Sequence, residues 1–360
     1  LDSWRVMLNG TLSTWNRSAA GPAISTIVVA HDRRRYLRDA LTSLLRQTLP
    51  RREHEILVVK NFAESELDAW CESQSIRTLL EPDSRMGAKV ATALGSCRGP
   101  VVCLLEDDDL FEPGKLERVA ELFSGSPATG FFHHGFTTVS PDGAPVEVPR
   151  IWQKRMPGTG TREVTIQVRG RDLAAVRAAW RYHPDFNNSS IAIRRDVVTA
   201  QRDRLRKIDL VVDSFLFYCA LSSGTDLAVS REPLSRVRVH SESVSGHQSD
   251  GSAEQVSRLA EYSSRNLASQ LEIDAMLKGS GRPELAREGD GLITAERGIL
   301  SVRSPALDRR QRLDAFRSMV QLRDTYALRS RRELPAIVGL SLVSRSLSTW
   351  WYRSFKRLGF

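Results

Sequence analysis

An α/β fold built on a largely parallel sheet, followed by a helical C-terminal extension, is what this sequence predicts, and three observations carry the expectation. Two apolar runs, Ile24 to Ala30 (ISTIVVA) and residues 55–61 (EILVVKN), are each followed by a stretch with helical spacing. A third run, Val101 to Leu105, ends in four acids, Glu106, Asp107, Asp108 and Asp109. Unbroken runs rich in valine, isoleucine and leucine suit strands covered on both faces. Strand, helix, strand, helix, strand is the order of a parallel α/β sheet. Ligands bind at the carboxyl edge of such sheets, and the acids stand at that edge.

Taken in order, the first strand leads into HDRRRYLRDALTSLLRQTLP, in which Leu37, Leu41, Leu44 and Leu45 share a helical face and Pro50 ends the segment. The second strand is followed by a helical stretch with Leu67, Trp70 and Cys71 on one side. Ile76 to Leu80 reads as a third short strand, Pro82 to Gly87 as a loop, and Gly87 to Ser96 as a helix of small residues. After the acids, Pro113 precedes a helix with Leu116, Val119, Ala120 and Phe123 at helical spacing.

The alternation then breaks down. Phe131 to Ser140 is expected to be a strand, with a turn at Ser140-Pro141-Asp142-Gly143 before Val146 to Val148. Residues 150–187 carry little signal beyond a helix at Leu173 to Trp180. Ser190 to Arg194 reads as a strand, Asp213 to Leu221 as a helix, and Leu227 to Ser230 and Leu234 to His240 as two separate strands. Residues 252–330 are amphipathic and helical. Over 337–358 a single helix would place Leu340, Leu347, Trp351, Phe355 and Leu358 on one face, with Arg345, Arg353 and Lys356 opposite. Such a helix suits a membrane interface, or a protein surface, equally well.

The 360 residues are 41% hydrophobic and 26% charged, an ordinary globular composition. The four cysteines match no zinc or disulfide spacing, which points to a reducing compartment. No continuous apolar core marks the N-terminus as a signal peptide, and the uncharged stretch Leu334 to Ser344 is too short for a membrane span of about 20 residues. The net charge of +9 suits nucleic acid, an anionic membrane or phosphorylated substrates without choosing among them.

Four adjacent acids repel one another unless a cation or solvent relieves them. Hard divalent cations take carboxylate oxygens, whereas the plain alternative is a solvated acidic loop at a helix N-terminus. TIVVAHDRRRYLRDALTSLLRQTLP, EILVVKN and LLEDDDLFEPGKLE, in that order, resemble the family 2 glycosyltransferases over residues 24–120, with a weaker likeness to about residue 245. Within that family, VVKNF resembles a variant associated with archaeal members. The resemblance implies the GT-A fold, a Rossmann-like mixed sheet with helices on both faces. It divides the chain into an extension at 1–22, a catalytic domain at 23–250 (nucleotide-sugar half 23–125, acceptor half 126–250), a helical part at 251–330 and the basic segment 331–360.

Residue by residue, the resemblance places Ala30, His31 and Asp32 at the nucleotide-contacting tip of the first strand. Lys60 and Asn61 occupy the place of the family's acidic pair, of which one acid commonly binds the base; a Lys in place of the first acid puts the usual uracil contact in doubt, and Asn61 is implied as the nucleotide contact. Lys89 is implied as a phosphate contact, Glu106 as a nucleotide or ribose contact, Asp108 as a metal ligand, Asp109 as facing the sugar, and Asp107 as structural. Asp213 stands where the family has its general base, with Asp209 in reserve and an N-cap role as the plain alternative for Asp213. His240 is implied as a metal ligand or diphosphate donor, with Arg236 or Arg238 neutralising charge. His133 and His134 are read as structural or acceptor-side, and Asn187, Asn188 and Ser189 as sugar contacts or a polar turn. The implied activity is metal-dependent (Mg²⁺ or Mn²⁺), inverting transfer from a UDP- or GDP-linked sugar to a glycan or polyprenyl-linked acceptor. The implied setting is the cytoplasm, peripherally on the inner membrane face through 331–360, with no nucleic-acid partner. A nucleotidyltransferase of the same fold class, or an inactive basic membrane- or nucleic-acid-binding protein, remains the alternative.

Overall fold

The computed structural model describes residues 21–148, 166–240, 253–304 and 307–321, together with Leu342. Strands β1 (Ile24–Ala30), β2 (His54–Lys60), β3 (Arg77–Leu80) and β4 (Val101–Glu106) are joined through helices α1 (Leu37–Leu45), α2 (Ser65–Ser73) and α3 (Met86–Leu94). β1 and β2 are buried along their whole length, as an apolar run without alternation requires when both faces are covered. Ile24, Val28 and Ala30 of β1 pack with Leu37, Leu41 and Leu44 of α1, while Ile27 and Val29 pack on the opposite face with Val90 and Leu94 of α3. The period of two along the strand thus serves two cores at once.

β4 is followed by β5 (Leu110–Phe111), α4 (Lys115–Gly125), β6 (Thr129–Val139), β7 (Ile166–Val168), α5 (Leu173–Ala179) and β8 (Ile191–Arg194). Then come α6 (Arg195–Thr199), α7 (Arg202–Leu205), α8 (Val212–Ser223) and β9 (Asp226–Arg238). Among the described residues nine strands form one sheet in the order β3-β2-β1-β4-β8-β6-β9-β5, with β7 also on β9. β3, β2, β1 and β4 run parallel, and β8 is antiparallel to both β4 and β6. From β1 the chain moves outward to β2 on one side and returns to β4 on the other, which opens a crevice at the carboxyl ends of β1 and β4.

One sequence expectation is corrected here. Leu227 to Ser230 and Leu234 to His240 are one strand, β9, running through Pro233. Proline cannot donate to a sheet ladder, yet Pro233 lies opposite Gly135 where the β6–β9 register shifts on either side, so the irregular ladder accommodates it. After the turn that Gly143 completes at φ 87°, a bridge joins Val139 to Pro145.

The extension comprises α9 (Ala253–Gly279), α10 (Pro283–Arg303) and α11 (Arg309–Gln321). Ile273, Met276, Leu277, Leu285 and Leu292 share one core with Phe215 to Leu221 of α8, so α9 and α10 complete the interior on that face of the sheet. The hydroxyl of Tyr218 donates to Glu288 at 2.9 Å across that contact. Among the described residues no helix is long and apolar enough to cross a membrane. The basic helix expected over 337–358 and the extension at 1–20 lie outside the described residues.

Gly87 at the start of α3 lies against the 205–208 segment, its N–H donating to the carbonyl of Ile208 at 2.9 Å. A Cβ there would meet the carbonyl oxygen of Leu205 and come within 2.6 Å of that of Ile208. Backbone cannot swing aside as a side chain does, so Gly87→Ala is expected to cost about 2 kcal/mol or more. Urea denaturation with an unchanged m-value would show it.

Candidate active site

The tip of β1 is fastened from two directions. Asp32, in the left-handed region at φ 55°, donates its N–H to Asn61 Oδ1 at 3.0 Å and accepts from Asn61 Nδ2 at 2.9 Å. The N–H of His31 donates to Asp107 Oδ2 at 3.2 Å. Parallel pairing sets Ala30 beside Lys60 and Val29 beside Glu106, which aligns the three strand ends. Lys60 itself turns away: its buried ammonium lies 2.8 Å from Asp68 and donates to the carbonyl of Phe62. Asn61 therefore presents its amide at the crevice in the place of an acid. Lys89 donates to the carbonyl of Asp83 at 2.6 Å and lies 3.1 Å from His31 Nδ1. Burial and the neighbouring Lys89 charge lower the pKa of His31, and burial lowers that of Lys89.

At the end of β4, Glu106, Asp108 and Asp109 each bring a carboxylate oxygen within 4.8 Å of the others. Asp107, Asp108 and Asp109 are at most 5% exposed. Asp108 Oδ2 receives both Arg33 Nη1 at 2.7 Å and His240 Nε2 at 3.0 Å, and the second arm of Arg33 reaches Asp107 at 2.7 Å. Arg238 donates its backbone N–H to Asp109 and its Nε to the carbonyl of Asp108, both at 3.0 Å. Arg236 points elsewhere, to Glu112 at 3.3 Å.

Burial, reinforced by the Asp108 charge, pushes the Glu106 carboxyl up to about 7. Burial also raises Asp107 to about 7 against the pull of Arg33, and raises Asp109 well above the ordinary range. At Asp108 burial acts in the same direction, but the hydrogen bond from His240 and the charge of Arg33 outweigh it and hold the carboxyl below its usual value. One carboxylate is thus kept ionised among three that burial disfavours as anions.

The turn at residues 187–190 ties this cluster to the far side of the crevice. Ser189 Oγ accepts the N–H of Glu106 at 3.1 Å, and Asn188 Nδ2 donates to Glu106 Oε1 at 2.9 Å. The N–H of Asn187, at φ 71°, donates to Asp213 Oδ2 at 2.9 Å. Beneath the turn, fully buried Lys115 donates to the carbonyl of Ser189 at 2.7 Å, 3.3 Å from the Phe111 ring centroid, and burial lowers its pKa to about 7. Asp213 is in the first turn of α8, whose N-cap position is Val211 at φ 58°, so a plain N-cap does not describe it. Its charge contributes to the raised pKa of Glu106, which sets it within electrostatic reach of the acids. Asp209 is taken by Arg265 of α9, whose Nη2 donates to it at 2.9 Å.

The structure therefore gathers Ala30, Asp32, Asn61, Lys89, Glu106, Asp108, Asp109, Asp213 and His240 around one crevice. His133 and His134 are buried in β6 on the carbonyls of Phe186 and Gly135, both at 2.7 Å, and belong to the interior. Arg33 and Lys115 are the residues sequence reading missed. Three consecutive arginines give no sign of which one turns inward, whereas Lys115 could have been found, because it precedes Val119 by four on the buried face of α4.

Convergent carboxylate oxygens are the donor set that a hard divalent cation such as Mg²⁺ or Mn²⁺ takes. Comparison with known proteins agrees with this geometry. Residues 25–178 match the model of Glycosyl transferase family 2. An uncharacterised glycosyltransferase of Nostoc sp. is 26% identical over 245 residues, covering 64% of this chain and 68% of that protein. The structure of S. aureus TarS 1–349 superposes with a TM-score of 0.59 at 14% identity, over 92% of this chain and 91% of that one. The same fragment in complex with UDP superposes at 0.54 and 12% identity, over 88% and 91%. At such identities the likeness concerns the fold, which is GT-A.

A carboxyl whose pKa is higher folded than unfolded stabilises the fold below its unfolded value, and that contribution is lost as pH rises through the folded one. For Glu106 and Asp107 the window runs from 4.5 and 3.8 up to about 7. Metal-free protein is expected to melt at lower temperature at about pH 8 than at about pH 5, and Mn²⁺ to restore more at the higher pH. Calorimetry in EDTA and in MnCl₂ checks this, and Glu106→Gln should flatten the difference.

Proposed function

We propose that this chain, which belongs to the family 2 glycosyltransferases, moves a sugar from a nucleoside diphosphate sugar to an acceptor hydroxyl by single displacement with inversion. The observation that carries the reading is the placement of the Glu106–Asp108–Asp109 triad and Asp213 on one crevice, joined through the turn at 187–190. Asp108, with Glu106 and Asp109, would hold Mg²⁺ or Mn²⁺, and His240 is placed to ligate it or to orient Asp108. Such a cation stabilises the charge that develops on a leaving diphosphate.

The chain's own residues supply the rest. Asn61 and Asp32 form the edge of the nucleobase site, where an amide offers both a donor and an acceptor. Lys89 stands at the α3 end of the crevice as the phosphate contact. Asp213 accepts the proton of the attacking hydroxyl, and the N–H of Asn187 fixes the orientation of its carboxylate. The TarS complexes with UDP and UDP-GlcNAc favour a UDP-linked hexosyl donor over a GDP-linked one. The basic segment 331–360 favours an acceptor at a membrane surface, a glycan or a polyprenyl-linked one.

Incubation with a panel of UDP- and GDP-sugars, with and without EDTA, tests the reading through donor hydrolysis and transfer, and the anomeric configuration of the product by NMR tests inversion. With a sugar hydroxyl as acceptor, Asp213→Asn should lower kcat by about 10²–10⁴-fold while donor affinity stays unchanged. With a polyprenyl phosphate, whose oxygen is already ionised, the variant should keep substantial activity. Absence of metal-dependent turnover with every donor overturns the proposal.

A further inference from the structure

Resting on the metal-dependent reading above, we infer that Arg33 is an exchangeable counter-cation: it occupies Asp108 in the empty site, gives way to the divalent cation, and passes to the donor's diphosphate.

Three arginines leave β1 in succession, and the structure separates them. Arg34 lies 3.2 Å from Glu64 and 4.8 Å from the Phe62 ring centroid, and Arg35 lies 5.0 Å from that of Tyr36. Arg33 alone of the three forks inward, with Nη1 and Nη2 each 2.7 Å from Asp108 and Asp107. The two carboxylates are 7% and 2% exposed in their side chains, so these contacts lie in a weakly screened environment. Asp108 Oδ2 carries Arg33 and His240 together. A divalent cation taking that oxygen therefore competes with the guanidinium for it, and the two positive charges repel each other at close range.

Asp107 explains why Arg33 need not leave altogether. It is outside the triad whose oxygens converge, and it is bound to the β1 tip through the N–H of His31. Asp107 can keep one arm of Arg33 while the other arm is freed toward the crevice. A guanidinium fork suits phosphate oxygens, and the loop carrying it is anchored at Asp32 by Asn61. The charge of the acid cluster is then balanced in both states, by Arg33 when empty and by the cation when loaded.

The test is binding, independent of turnover. Calorimetry would measure Mn²⁺ alone, and then UDP at saturating Mn²⁺, for the wild type, Arg33→Gln and Arg33→Lys. Removing the charge should tighten Mn²⁺ alone by about tenfold and weaken UDP in the presence of Mn²⁺ by about tenfold. Arg33→Lys keeps the charge and loses the fork, so Mn²⁺ affinity should stay near the wild-type value while UDP still weakens. If Arg33→Gln does not fold, the lysine variant carries the test through that split. Constants that move together in both measurements, or do not move, overturn the exchange and leave Arg33 a structural partner of the acids. A wild type that binds no Mn²⁺ even with UDP overturns the metal-dependent reading and the exchange with it.

Discussion

Four consecutive carboxylates at the end of a buried strand are the constraint on which the rest of the site depends. Burial disfavours every one of them as an anion, and their mutual repulsion adds to that cost. The fold meets it with positive or donating groups from separate parts of the chain: Arg33 from the first loop, Arg238 and His240 from the end of β9, and the Asn188 amide from the turn before β8. None of these contacts is local to the acids in sequence. The strand order that sets β1 beside β4 and brings β5 against β9 is what delivers them. Asp108, with two donors on one oxygen, emerges as the ionised member, while Glu106 and Asp109 keep the raised pKa values that a bound cation would reverse.

How much of this was legible in the sequence follows from the range of the interactions. β1, β2 and β4 announce themselves because burial on both faces leaves unbroken apolar runs, and α1 and α4 because each buries one stripe. The second half reads poorly since its strands are irregular. β9 passes through a proline opposite a glycine, which to pattern reading looks like two strands with a gap. The hydrogen-bond partners of the candidate site residues do not follow from residue type. Lys60 illustrates the limit: it occupies an acid's position in the motif, yet a partner eight residues later, Asp68, draws its ammonium out of the crevice and leaves Asn61 to face it.

The turn at 187–190 shows how the two halves become one site. Its Asn188 and Ser189 hold Glu106, its Asn187 holds Asp213, and the Lys115 ammonium grips it from below. A lysine buried without a carboxylate in direct contact is costly, and here its donors are spent on the Ser189 carbonyl and the Ser235 hydroxyl. The position of the turn is thereby coupled to helix α4, which begins beside the acids it serves. The acids at the end of β4 and the carboxylate of Asp213 are spaced by one short segment of backbone.

The helical extension bears on the choice between Asp213 and Asp209. Both precede or begin α8, and by residue type either could accept a proton. Arg265 and Ser269 of α9 give the two different surroundings: Arg265 grips the Asp209 carboxylate, and Ser269 Oγ accepts the N–H groups of Asp209 and Leu210 at 3.1 and 3.2 Å. Asp213 accepts the backbone N–H groups of Asn187 and Ser214 and lies in electrostatic reach of Glu106. By tethering Asp209, α9 fixes the start of α8 and with it the orientation of Asp213. The extension is thereby part of the same packing unit, and its apolar side shares one core with α8.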